Sequence, residues 1–257
     1  MKTLVLKASP YKAGNTSTMA DRFIEGLRAM GHSAITTFWL NDLHIRPCQG
    51  CNECLRAPHQ GCVLEDDFNT IYRVFREADL IAFAAPIYWW HLCAQMKTFI
   101  DRMHPMLTFD RDHCLPTKEL VLITAYVAED PYGVHLAIRM LESITGWSGM
   151  GFRSIRFHSE SGPVQEDEEK LQEAYELGRQ FAEWRRPELI VKCPVETCGF
   201  ALRSDEAAAK HLVMAAGDAH LRWKAEHLSS VHTLHNTERL IAEALQILRD
   251  RGEKGPK

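Results

Sequence analysis

No stretch of this chain approaches the roughly 18 consecutive apolar residues that a membrane-spanning helix needs. Near the start, Leu4-Val5-Leu6 is too short for the apolar region of an export signal. Charge of one sign is also lacking: 30 Lys and Arg stand against 34 Asp and Glu, a formal net charge of −4, which removes the basic surplus of a nucleic-acid binder. The loop after the first apolar run has neither the GxGxxG spacing of a dinucleotide site nor the GxxxxGK[ST] of a nucleoside triphosphatase, which argues against a diphosphate ligand. The expectation is a soluble cytoplasmic protein with no membrane or nucleic-acid partner. Eight cysteines without an export signal then point to metal, cofactor or redox chemistry over a disulfide framework.

What the chain does have begins at once. The apolar run Thr3-Leu4-Val5-Leu6-Lys7-Ala8 empties through Ser9-Pro10-Tyr11-Lys12-Ala13-Gly14-Asn15-Thr16-Ser17-Thr18 into a helical pattern at Met19-Ala20-Asp21-Arg22-Phe23-Ile24. Free N–H groups of a first helical turn and the positive end of the helix dipole converge on such a loop, and its size suits a single phosphate. Apolar runs near 3–8, 34–39, 79–84, 120–126 and 151–157 alternate with helical patterns near 16–30, 66–77, 92–104, 134–146 and 166–185. Five strand–helix units predict a parallel sheet covered on both faces, with ligands outside the carboxyl ends of the strands. With 46% apolar residues, the chain can bury that core and keep a small second unit.

Five segments together resemble the NADPH-dependent FMN reductase and iron–sulfur flavoprotein family of the flavodoxin-like fold. They are Ser9-Pro10 through Gly14-Asn15-Thr16, Pro47-Cys48-Gln49-Gly50-Cys51-Asn52-Glu53-Cys54, Gly61-Cys62-Val63-Leu64-Glu65-Asp66-Asp67, Pro86-Ile87-Tyr88, and Lys97-Thr98-Phe99-Ile100-Asp101-Arg102. The resemblance covers about residues 1–185 and implies a three-layer α/β sandwich on a five-stranded parallel sheet. It also implies that Ser9, Asn15, Thr16 and Ser17 hold an FMN phosphate, that Pro86, Ile87, Tyr88 and Trp89 line the isoalloxazine, and that Thr124-Ala125-Tyr126 borders its other side. Where the family often has arginine, this chain has Tyr11, with the cation Lys12 next to it. FMN sites in this family commonly sit at subunit contacts, so a homodimer or a dimer of dimers is expected.

The residues themselves allow two readings of the aromatic segment. Ala84-Ala85-Pro86-Ile87-Tyr88-Trp89-Trp90 puts large flat faces at the sheet's carboxyl edge, either as a wall for a heteroaromatic ring or as a cap on a core or interface. The phosphate loop beside it favours the first. Cys48-x2-Cys51-x2-Cys54-x7-Cys62 offers four thiolates at a spacing compatible with a 4Fe–4S cluster, with free thiols shaping a loop or a redox-reactive pair as the alternatives.

Past residue 186 the pattern changes. Pro187 disfavours helix in the residue before it, which sets expected domains at 1–187 and 188–257. Cys193-x4-Cys198, then twelve residues, then His211 on a helix over 204–215 capped by Ser204, reproduce the first three ligands of a two-cysteine, two-histidine zinc site. The fourth is expected at His220, brought back by a turn at Gly217-Asp218, with His227 next in line. The other reading is a helical appendage with buried cysteines and solvent-facing histidines. A last helix over 236–251 carries Leu240, Ile241, Leu245 and Leu248 on one stripe, and the tail 251–257 is expected to be disordered.

The expected function is an FMN-dependent oxidoreductase that passes electrons from NAD(P)H or an iron–sulfur donor to a quinone-like or other small acceptor. A pure electron carrier and a flavin-based redox sensor are the alternatives. The flavin does the chemistry, and Tyr88, Tyr126 and His91 are the side chains nearest in sequence to the reacting ring.

Overall fold

A computed structural model describes residues 1–56, 61–106, 115–127, 133–189, 191–195, 198, 201–215, 218–230 and 236–253. Five strands form the main sheet: β1 (Thr3–Lys7), β2 (Ile35–Trp39), β3 (Leu80–Ala84), β6 (Glu119–Tyr126) and β7 (Gly151–His158), in the order β2-β1-β3-β6-β7. Val5 stands opposite Thr37 and Ala82, and Ala82 opposite Val121, all in parallel register. The chain order reverses on either side of β1, so the carboxyl ends of β1 and β3 flank the crevice where such sheets bind ligands. A parallel sheet must be covered on both faces, and β1 and β3 are accordingly buried throughout, with apolar residues at Leu4–Leu6 and along the whole of Leu80–Ala84.

One face carries α1 (Asn15–Ala29) and α6 (Glu168–Arg179), which enclose Val5, Ala82, Val121, Phe23, Leu27, Leu171 and Phe181. The two helices touch backbone to backbone. A Cβ on Gly26 would fall 2.0 Å from the Tyr175 carbonyl oxygen, and one on Gly178 would fall 2.2 Å from that of Phe23. The other face carries α3 (Phe68–Glu77) and α4 (Ala94–Asp101), where Phe99 meets Phe68 at 5.5 Å and Phe83 at 6.0 Å between ring centres.

Two compact units result. One comprises Met1–Asp110, Lys118–Met140 and Phe152–Arg185, and the other Arg111–Thr117, Leu141–Gly151 and Arg186–Lys257, over their described residues. The second holds a hairpin of β8 (Val191–Lys192) and β9 (Ala201–Leu202), then α7 (Asp205–Met214), α8 (Asp218–His227) and α9 (Thr237–Glu253). Leu202, Leu212, Val213, Trp223, Leu240 and Leu248 form its core.

The elements depart from expectation in three places. The fifth helix of the sheet ends at Arg179 and not near 185, because the chain tightens into i→i+3 turns through Trp184 that bury Phe181 against Phe23. The last helix runs on to Glu253, two residues further than expected; residues 254–257 lie outside the described residues. A separate helix, α8, stands where only a turn was expected, and Gly217 of that turn lies outside the described residues.

Candidate functional site

The loop after β1 is braced from inside. Gly14 N–H donates to the Tyr11 carbonyl at 3.1 Å, Tyr11 N–H to Ser9 Oγ at 3.1 Å, and Ser17 Oγ to the Tyr11 carbonyl at 3.3 Å. Trp39 Nε1 pins the Ser9 carbonyl at 2.8 Å. The first i→i−4 bond of α1 is Thr18 N–H to the Gly14 carbonyl, so the N–H groups of Asn15, Thr16 and Ser17 precede it. Gly14 offers no capping side chain, and no acidic residue stands in the first turn. The positive end of the helix is therefore left for an anion, and Tyr11, Lys12, Gly14, Asn15, Pro163 and Gln165 line the recess in front of it.

Not every expected side chain faces that recess freely. Asn15 Oδ1 accepts the Val164 N–H at 3.0 Å, and Ser17 is fully buried as a loop brace. Lys12 reaches Asp42 at 2.6 Å over the Trp39 ring. Gln165 went unread in the sequence, since nothing local distinguishes it. Its amide donates to the Ala13 carbonyl at 2.7 Å and to Thr18 Oγ1 at 2.8 Å.

At the end of β3, Ile87–Tyr88 and His91–Leu92 form a two-residue hairpin, β4 and β5, closed by Trp89 and Trp90. Both tryptophans sit in left-handed backbone, at φ 47° and 66°. Such a turn favours Asn-Gly, and bulky residues there are strained. It is held by Gly133, itself at φ +108°, where a Cβ would fall 2.4 Å from the Trp90 Cα. Trp89 is 89% exposed, with Trp90 edge-on to it at 5.1 Å. Burial pushes the Tyr88 phenol up, helped by Cys93 and Tyr11, while Ser9 bonds to it. Burial and Lys97 push His91 down, and its Nδ1 is buried without a partner among the described residues. Thr124 is buried and donates to the Ala85 carbonyl at 2.8 Å, which fixes the neck of the Pro86 bend. Tyr126 stacks on His158 at 5.1 Å.

Cys48, Cys51, Cys54 and Cys62 line one pocket with Arg102 and His104. Burial and the other three thiols raise the Cys54 thiol. The base of the pocket is a buried ion pair: Arg102 donates to both oxygens of Asp66, at 2.8 and 3.1 Å, and to the Arg46 carbonyl at 2.7 Å. Burial alone would raise the Asp66 carboxyl, but Arg102 and the Arg46 and Phe68 N–H groups hold it below its ordinary range.

In the C-terminal unit, Cys193, Cys198, His211 and His220 bring their ligand atoms within 4.8 Å of one another, a group able to hold a metal ion. Among the described residues no other group of three or more His, Cys, Asp and Glu side chains meets this single-ion separation. The four thiols of the Cys48 pocket do not meet it, and a cluster would place each on a different iron. Bonding to Cys198, with burial behind it, pushes the Cys193 thiol strongly up. The expected fourth ligand, His220, is thus the one the structure brings in, and α8 delivers it. Cys198 is half-buried and His211 buried, so the histidines do not face solvent as in the appendage reading.

A doubly wound parallel sheet with an anion-ready loop after β1 and an aromatic turn after β3 defines a class of crevice-binding α/β proteins. The family described as having the flavodoxin-like fold matches residues 1–180, and the chain belongs to it. It is 37% identical over 105 residues to an iron–sulfur flavoprotein of Archaeoglobus fulgidus, an alignment that covers 41% of this chain and 46% of the relative. It is 28% identical over 162 residues, 60% of this chain and 82% of the relative, to a Bacillus subtilis protein described as an NAD(P)H-dependent FMN-containing oxidoreductase. The chain spans about half the length of the iron–sulfur flavoproteins it matches. Among solved structures, the NAD(P)H:quinone oxidoreductase of Methanothermobacter marburgensis superposes with a TM-score of 0.54 at 21% identity over 72% of this chain and 98% of that one. An azoreductase from Bacillus anthracis gives 0.53 at 16% identity over 71% and 99%. At these identities the structures speak for the fold. No helix among the described residues is long and apolar enough to cross a membrane.

Proposed function

We propose that the chain is an FMN-dependent oxidoreductase that takes electrons from NAD(P)H and passes them to a small quinone-like acceptor. The observation that carries this reading is the uncapped N-terminus of α1 and the hydroxyl-rich loop in front of it, set at the same sheet edge as the Trp89-Trp90 turn. The N–H groups of Asn15, Thr16 and Ser17, with the hydroxyls of Ser9 and Thr16, suit a phosphate. Lys12 lies within reach at the rim. Pro86, Ile87, Tyr88 and Trp89 on one side, and Thr124 and Tyr126 on the other, suit a flat ring. The relatives named above supply the redox class, and FMN, when bound, supplies the hydride and electron chemistry. Tyr88, Tyr126 and His91 are the side chains proposed to contact the ring or its substrate, with no acid or base required of them. The flavin domain spans 1–187, the C-terminal extension 188–257, and the active form is a homodimer or tetramer. Zinc is the ion proposed for the C-terminal group; having no redox chemistry of its own, it stands outside the electron path.

Titration of the apoprotein with FMN tests the reading. Ser9→Ala with Thr16→Ala should weaken binding, each lost charge-assisted bond costing about 1.5–3 kcal/mol. Absence of saturable FMN binding by the wild type at micromolar concentration rejects it.

A second reading is favoured by the four thiols that line one pocket: Cys48, Cys51, Cys54 and Cys62 hold a 4Fe–4S cluster that feeds the flavin. Iron and acid-labile sulfide in anaerobically purified protein, lost together in Cys51→Ser, support it. Turnover of NAD(P)H with a quinone by iron-free protein favours the first reading.

A further inference from the structure

The four ligand atoms of the C-terminal group are not only near one another; two of the separations among them stand at the edge lengths of a metal tetrahedron. Zinc bonds of about 2.3 Å to sulfur and 2.0–2.1 Å to imidazole nitrogen, at tetrahedral angles, require N···S edges of about 3.6 Å and an N···N edge of about 3.3 Å. Here Cys193 Sγ lies 3.6 Å from His220 Nε2 and His211 Nε2 lies 3.2 Å from His220 Nε2, at those lengths, while Cys198 Sγ lies 3.1 Å from His211 Nε2, closer than the edge, so that an ion would move these two apart. The set is two sulfurs and two imidazoles, which suits a tetrahedral zinc ion, and four protein ligands leave no open position for a substrate. The site is therefore structural.

The other face of His211 is equally specific. Its Nδ1 lies 2.5 Å from the Trp147 carbonyl oxygen, and a carbonyl only accepts, so Nδ1 carries the proton and Nε2 keeps its lone pair toward the group. A backbone carbonyl that fixes a ligand's tautomer and ring plane is the usual outer shell of a zinc histidine. Trp147 belongs to the helix over Val134–Ser148, more than sixty residues before His211. The ligands come from one two-strand hairpin and two separate helices, so one ion would tie these three stretches of chain together at a single point. Among the buried apolar residues of that core, Ala208, Ala209 and Ala244 each contribute a single methyl group.

We propose that Cys193, Cys198, His211 and His220 hold one zinc ion that acts as the keystone of the C-terminal unit, with the Trp147 carbonyl as its outer-shell orienter, so that this unit folds only when metal is bound. The proposal rests on the zinc assignment above and adds the dependence of folding on it. Metal and folding are coupled wherever a site of this kind does not pre-exist in the unfolded chain.

The experiment uses the full chain. Metal analysis should find one zinc per chain in wild type and in His211→Cys, which puts a thiolate ligand in place of the imidazole, and none in His211→Ala. Hydrogen exchange read by mass spectrometry should lose protection over 141–151 and 191–227 when wild type is chelated. It should regain protection on adding zinc but not magnesium, while residues 1–106 hold theirs throughout. Cobalt in place of zinc should show the strong visible bands of a tetrahedral sulfur–nitrogen site. His211, observed by nitrogen NMR in the zinc form, should be the Nδ1–H tautomer. Zinc present but exchange unchanged on chelation overturns the keystone role and leaves the zinc assignment standing. No zinc in wild type overturns both, full zinc in His211→Ala overturns the ligand set, and the Nε2–H tautomer overturns the part given to Trp147.

Discussion

The flavodoxin-like unit buries whole strands: Leu4 to Leu6, Leu80 to Ala84 and Leu120 to Ile123 are all at most 2% exposed. Its candidate site is a rim of backbone groups and aromatic faces laid on that finished core. In the C-terminal unit the order is reversed, because the ligand cluster lies among the core residues, with Cys193 and Cys198 packed against Leu202, Leu212 and their neighbours. A site on a rim can lose its ligand and leave the fold in place. On the proposal above, a site inside a small core cannot, since the ion that joins the parts of that core is then missing.

That contrast is broken or sharpened by substitution. The largest expected effect is in the first unit: Asp66→Asn leaves the Arg102 guanidinium buried and half-paired, and the unit should lose about 3–5 kcal/mol in denaturant melts. The same carboxyl carries a pH signature. Its folded pKa lies below the ordinary aspartate value of about 3.9, so its contribution is complete above that value and is lost as pH falls through the lower folded one. Acid melts of wild type should steepen below about pH 4, and Asp66→Asn should flatten that limb. If exchange shows the C-terminal unit loosening equally in Asp66→Asn, the two regions are one cooperative body and the contrast fails.

A smaller effect is expected at the rim. Gly133→Ala brings a methyl against the Trp90 backbone at positive φ, costing about 1–3 kcal/mol of strain, and should shift FMN affinity more than global stability. Isothermal titration beside a thermal melt separates the two; an unchanged affinity would show that the tryptophan turn does not touch the ring. The smallest concerns the second unit, where Ser204 Oγ accepts the Ala207 N–H at 3.2 Å as the cap of α7. Ser204→Ala should cost about 1 kcal/mol, visible only as a lower metal-loading temperature in calorimetry. A loss several times larger would mean that the helix, and not the ion, carries the unit.

Much of this was legible in the sequence. The five strands were readable because a parallel sheet buried on both faces leaves near-continuous apolar runs such as Leu80-Ile81-Ala82-Phe83-Ala84. The C-terminal group able to hold a metal was readable because Cys-x4-Cys and a His on a capped helix fix three positions by local spacing alone. What stayed hidden is long-range. Gln165 acts on the phosphate loop from about 150 residues away, Gly133 acts by the space it leaves beside Trp90, and Trp147 acts through a carbonyl that every residue type shares. The Arg102–Asp66 pair lay inside two quoted motifs, yet nothing local says that 36 residues of separation close into a bidentate bond. The early end of α6 escaped for a similar reason, since it answers to the packing of Phe181 and not to the proline at 187.

The Gly26–Gly178 contact sets a mechanical limit on the phosphate loop. With the two backbones already touching, α1 can neither slide along α6 nor tilt away from it without opening a gap that no side chain is there to fill. The helix end proposed to receive the anion is therefore a fixed stop. Accommodating a larger or smaller headgroup falls to the residues between Ser9 and Gly14, and selection for a new cofactor should leave its changes there, with positions 26 and 178 remaining glycine in every survivor.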